Sequence, residues 1–180
     1  MQHVTPRANG LSLFWRGKYL PHNAFADAAP VEDYSMVGRT YRFFRGTPLY
    51  PFGHGLSYTT FAYRNLRTSA GSLAPDSTIT VRVDVTNTGR RAGDKVVQLY
   101  VQHPGSAVER PMKELKGYQR LTLQPRETRT VEFRLAASSL AYWNPDTHAW
   151  VVEEGQVHLQ VGASSADIRL QRTIRIATGR

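Results

Sequence analysis

Cysteine is absent from all 180 residues. Disulfides, thiolate nucleophiles and Cys-based metal sites are excluded, and the compartment is left open. Long apolar runs are missing as well. None approaches the roughly 18 residues that a membrane-spanning helix requires. Leu11–Trp15 is too short for a leader core and is followed by Arg16 and Lys18, so no signal peptide is expected. Helical periodicity is lacking, because no 3.6-residue apolar pattern survives beyond a turn or two. Acidic charge is in short supply: 14 Asp/Glu face 23 Lys/Arg, for a net +9. Such an excess invites nucleic acid. The cations nevertheless stand singly (Arg64, Arg67, Arg82, Arg120, Arg129, Arg134, Arg169, Arg172 and Arg175), with no block of like charge. That spacing describes solvated strand faces, and nucleic-acid binding is disfavoured.

What is present is alternation. Hydrophobic residues make up 41% of the chain, enough for one buried core. From Phe61 onward, short segments change sides every residue, as strands do. Ala62–Thr68 opens the series. In Thr78–Thr86, Ile79, Val81, Val83 and Val85 face one way and Thr80, Arg82 and Asp84 the other. In Lys95–His103, Val97, Leu99 and Val101 point inward, with Gln98, Tyr100 and Gln102 outward. Lys113–Leu123, Thr128–Leu135, Leu140–Trp143, Trp150–Val152, a set on Val157, Leu159 and Val161, and a last strand through Ile176 follow. Seven or eight antiparallel strands with turns between them predict an all-β sandwich over residues 61–178. No Cys–Trp–Cys pattern exists, so a fibronectin type III-like (immunoglobulin-like) sandwich is expected.

Ahead of it lies an irregular N-terminal arm, residues 1–60. Residues 1–31 carry apolar side chains without a period and read as either a wrapping segment or disorder. A short strand or extended arm is expected near Thr40–Phe44. Leu49–Phe61 is an aromatic connector in which Gly53 and Gly55 flank His54. Its aromatic content predicts burial against a neighbour, since a flexible linker is apolar-poor.

Sites of chemistry are few. Gly53–Tyr58 lacks the third glycine and the strand–helix unit of a dinucleotide loop. Ser57 lacks the surroundings of a nucleophile elbow. The six histidines show no metal-ligand spacing, so no metal or other cofactor is expected, and His103 and His158 read as surface residues. His54 either lines a groove or is a hydrogen-bonded structural residue. Glu32–Asp33 and Glu153–Glu154 are chain neighbours whose side chains diverge in extended backbone, so neither forms a catalytic pair. Trp143 and Trp150 form a cross-strand aromatic pair. With Tyr142 and Tyr118 they are candidate sugar-stacking residues, core or hairpin packing being the alternative, and a stand-alone carbohydrate-binding module is the alternative function they allow.

Several longer motifs resemble family 3 glycoside hydrolases, the β-glucosidases and β-xylosidases. Glu32–Met36, Gly38–Phe43 and Pro48–Phe61 are similar to that family's C-terminal region. Val85–Gly89, Ala92–Asp94, Val97–Val101, Pro111–Tyr118 and Trp150–Gly155 resemble its fibronectin type III-like domain. The resemblance implies a non-catalytic part that stabilises the catalytic domains and shapes substrate access. It also implies that residues 1–60 belong with a preceding α/β domain. The nucleophilic Asp of the family precedes a Trp, and none of the seven Asp here does. The family's acid/base Glu belongs to the α/β domain, so no catalytic residue carries over. The implied partners are the barrel and α/β domains and an oligosaccharide, with His54, Trp143 and Trp150 as candidate substrate contacts. The family is often periplasmic or secreted.

Overall fold

A computed structural model describes residues 38–177. The expectations for residues 1–31, and for Glu32–Met36, lie outside the described residues.

Among the described residues ten strands run as β1 (Phe61–Thr68), β2 (Ser72–Leu73), β3 (Thr78–Asn87), β4 (Gly93–Gln102), β5 (Glu114–Leu123), β6 (Thr128–Ala136), β7 (Tyr142–Asn144), β8 (Ala149–Val151), β9 (Gly155–Gly162) and β10 (Ile168–Ile176). They form a three-stranded sheet, β1-β3-β6, and a five-stranded sheet, β2-β10-β9-β4-β5, with β7-β8 a separate hairpin. The two larger sheets enclose one core. Val81, Val83, Val85, Val131 and Leu135 meet Val97, Leu99, Leu123, Leu159 and Ile176 there, all fully or almost fully buried. These are the rows that the alternation picks out. The architecture is the expected all-β sandwich.

Three details depart from expectation. Pairing is not wholly antiparallel, because β2 joins β10 in parallel through Arg175↔Ser72 and Ile176↔Leu73. A two-residue strand leaves no period to read, yet it buries Leu73 completely. Second, Thr40–Phe43 is a single helical turn, α1, and not a strand. Five weakly alternating residues have no neighbouring strand to pair with. The turn is closed by Phe44 N–H donating to Thr40 O at 2.9 Å, and it is held by Met112 N–H donating to Arg42 O at 2.7 Å. Third, Gln98 and Tyr100 do not face water. Both are buried, although they sit on the side of β4 opposite the core row. The cause is the connector.

Candidate functional site

The connector folds onto the outer face of β4 and β5. Gln98 holds it. Its amide N–H groups donate to Gly53 O (3.2 Å) and Ala163 O (2.9 Å), and its carbonyl accepts the Tyr100 hydroxyl. Ser165 N–H donates to Phe52 O at 2.8 Å. Phe52 stacks on Tyr41, centroids 4.2 Å apart, and Tyr41 meets Tyr100 edge-on at 6.1 Å. The Tyr41 hydroxyl accepts the Leu115 N–H at 3.0 Å, which satisfies a donor on edge strand β5. Gly53 has φ +78°, and a Cβ there would collide with the Gln98 side-chain amide. Glycine is needed at this position for both conformation and close approach.

The other end of the connector is pinned by Asn87, which is wholly buried. Its carbonyl accepts Thr59 Oγ1 (2.7 Å) and Gly89 N–H (3.0 Å). Its amide donates to Arg91 O (2.7 Å) and Leu123 O (3.0 Å). A buried amide with this many partners is a structural fixture.

The opposite side of the connector is bare. Leu56 is 93% and Tyr58 96% exposed, and Leu49 and Tyr50 are largely exposed as well. The burial expected of this stretch is therefore met on one side only. His54 lies on the exposed side. Its N–H donates to Pro51 O at 2.9 Å, closing a turn, and its ring rests 5.5 Å from Tyr50. It borders a cavity of about 270 Å³ shared with Leu56, Ser57, Asp94, Lys95 and Arg120. Burial pulls Lys95 below the ordinary lysine range, and its ammonium lies 5.9 Å over the Phe61 ring.

The tryptophans occupy another place. Trp143 and Trp150 face each other across β7 and β8, edge to face, with centroids 5.8 Å apart. The His54 cavity and the cleft beside Trp150 share no lining residue, so the three candidates do not converge. The hairpin is clamped at its base by Arg110, which sequence reasoning did not single out. Its Nε bonds Glu153 at 3.1 Å, its Nη1 donates to Leu140 O at 3.0 Å, and the guanidinium covers the Tyr142 ring at 4.9 Å. Burial tends to raise the Glu153 pKa. The Ser106 hydroxyl, Ala107 N–H and Arg110 outweigh it and hold the carboxyl below the ordinary range. Glu154 turns away to Arg175 (2.8 Å), so the adjacent carboxylates diverge as their spacing requires.

His103 differs from its surface reading. The ring is half-buried just beyond the end of β4, and its Nε2 has no partner among the described residues. Burial first, and Arg110 second, depress its pKa to about 4. His158 is half-buried on β9.

Among the described residues no group of three His, Cys, Asp or Glu converges to hold a metal. No described helix is long and apolar enough to cross a membrane. Six of the nine dispersed arginines (67, 82, 120, 129, 169 and 175) pair with carboxylates, which breaks up any phosphate-binding track.

Comparison with known proteins agrees with this architecture. Residues 95–165 match the fibronectin type III-like domain. The chain is 40% identical over 159 residues to the thermostable β-glucosidase B of Acetivibrio thermocellus, covering 88% of this chain and 21% of that enzyme. It is 50% identical over 125 residues to a β-xylosidase of Formosa agariphila, covering 69% of this chain and 17% of that enzyme. The crystal structure of the GH3 β-glucosidase of Bifidobacterium adolescentis superposes with a TM-score of 0.65 at 36% identity, over 71% of this chain and 18% of that one. The chain thus spans about a fifth of the length of these relatives. It belongs with the C-terminal, fibronectin type III-like region of family 3 glycoside hydrolases.

Proposed function

We propose that this chain acts as a non-catalytic module of a β-glycosidase. Residues 61–178 form the sandwich, and the connector joins it to barrel and α/β catalytic domains that it stabilises and whose substrate access it shapes. Residues 1–60 belong to the seam with the α/β domain. One observation carries the reading: the connector is fastened to the sandwich through Gln98, Tyr41 and Asn87, while its far side presents Leu49, Tyr50, Leu56 and Tyr58. Contiguous exposed apolar groups on a fastened segment mark a surface that another body covers. The polar groups at its edge, His54, Lys95 and the paired Asp94 and Arg120, suit a hydroxyl-bearing neighbour.

The test is a chimera. The matched region of the Acetivibrio thermocellus enzyme is deleted, or replaced by this chain, and aryl β-glucoside hydrolysis and melting are recorded. Replacement is expected to restore a cooperative melt and turnover that deletion loses. A deleted core as stable and active as the chimera would contradict the reading. The isolated chain is expected to show no aryl β-glucoside turnover; activity above buffer, in a preparation free of host glycosidase, would sink the non-catalytic assignment.

A further inference from the structure

Beside the β7–β8 hairpin lies a cleft of about 910 Å³, bordered by Pro75, Asp76, Lys116, Ser138, Ser139 and Trp150. It is separate from the connector, none of whose residues borders it. Trp150 is 70% exposed at its rim, and Trp143, 48% exposed, braces it edge to face. The support is firm. Arg110 and Glu153 lock the hairpin base, and Lys116 Nζ donates to Ser139 O at 2.7 Å while pairing with Glu114 at 3.0 Å. Exposed indoles on a braced hairpin lose little conformational entropy on binding.

We propose that this cleft binds a β-linked gluco- or xylo-oligosaccharide, with Trp150 as the stacking face. A pyranose ring has an apolar C–H face and a rim of hydroxyls. The C–H groups carry partial positive charge and suit the electron-rich indole face. The hydroxyls need donors and acceptors around the ring, and Asp76, Ser138, Ser139 and Lys116 supply both. A few polar groups around one aromatic wall is the usual make-up of a small-ligand site, and the cleft volume lies in the range of such sites. The β-linked sugar class rests on the glycosidase reading; the stacking geometry does not.

The experiment is affinity electrophoresis of the full chain in gels containing soluble mixed-linkage β-glucan, xylan or, as control, an α-glucan. The wild-type chain is expected to be retarded by β-glucan or xylan and not by the α-glucan. Trp150→Ala should weaken retention about tenfold or more, as truncating an aromatic hot spot does. Trp150→Tyr, which keeps a ring, should retain most of it. Melting curves for both variants separate a lost site from a lost fold. Absence of retardation in both β-linked gels, retardation by the α-glucan, or undiminished retention of a folded Trp150→Ala chain would overturn the proposal. An active chimera without retention removes the sugar site alone. Retention beside an inactive chimera removes the docking reading alone.

Discussion

The two sheets of the sandwich have different outer faces. On the three-stranded sheet the outward positions of β3 and β6 read Thr80, Arg82, Asp84 and Thr86 against Thr130, Glu132 and Arg134. There, Asp84 collects Asn65, Thr130 and Arg67, which lower its pKa to about 2. This face is written for water. On the five-stranded sheet, the outward row of β4 is charged only at its start, at Asp94, and continues as Val96, Gln98, Tyr100 and Gln102 without charge. Gln160 continues the amide row with bonds to Gln102 and Gln171, both 3.0 Å. This face is written for partial cover, and the connector lies on it. Alternation says which residues face the core; the charge of the remaining residues says whether their side is covered.

The largest expected effect tests that difference. Tyr100→Ala removes a fully buried ring beneath the connector. It should cost about 3–5 kcal/mol in urea unfolding, as large aromatic truncations in packed sites do. Arg134→Ala on the bare face should stay within about 0.5 kcal/mol, typical of exposed sites. Similar costs at the two positions would break the comparison.

Gln98→Ala comes next. It strands the Gly53 and Ala163 carbonyls and the Tyr100 hydroxyl. A loss of about 1–3 kcal/mol is expected for unpaired buried polar groups. Amide shifts should concentrate in residues 52–54 and 163–165. A variant as stable as wild type would mean that the connector does not depend on this amide.

A smaller effect concerns pH. His103 has a folded pKa of about 4, below its ordinary 6.5. Between these values the unfolded chain binds more protons, so stability falls as pH drops from about 6.5 toward 4. The Asp84 carboxylate, depressed in the fold, loses its contribution only at lower pH, as acid approaches 2. His103→Asn should therefore flatten the melting-temperature slope between pH 6.5 and 4 and leave the more acidic limb unchanged. An unaltered slope would show that this imidazole is solvated.

Much of the sandwich was legible in the sequence because a period of two is a strong signal. Val81, Val83 and Val85 sit where alternation puts them, and so does the Trp143–Trp150 pair. Ser72–Leu73 was too short to carry a period. Thr40–Phe43 is a helical turn that its sequence does not announce, because five residues of weak alternation say nothing about partners; Tyr41 reaches Leu115, 74 positions away. Parity alone places Gln98 and Tyr100 toward water, although the lack of charge from Val96 to Gln102 in that row is a usable hint. Arg110 and Asn87 gave no local sign, since their roles rest on contacts with distant loops. Of the candidate site, the residues were legible and their separation into two places was not.

The central claim is that the connector has one face for the sandwich and one for a neighbour. The most direct test is the pair Leu56→Ser and Tyr58→Ser, made together in the isolated chain and in the chimera. In the isolated chain both side chains are almost fully exposed, so the melting temperature should barely move. In the chimera the same change should lower stability by about 2–5 kcal/mol, the range for lost buried apolar side chains. An equal effect in both settings, large or small, would contradict the account.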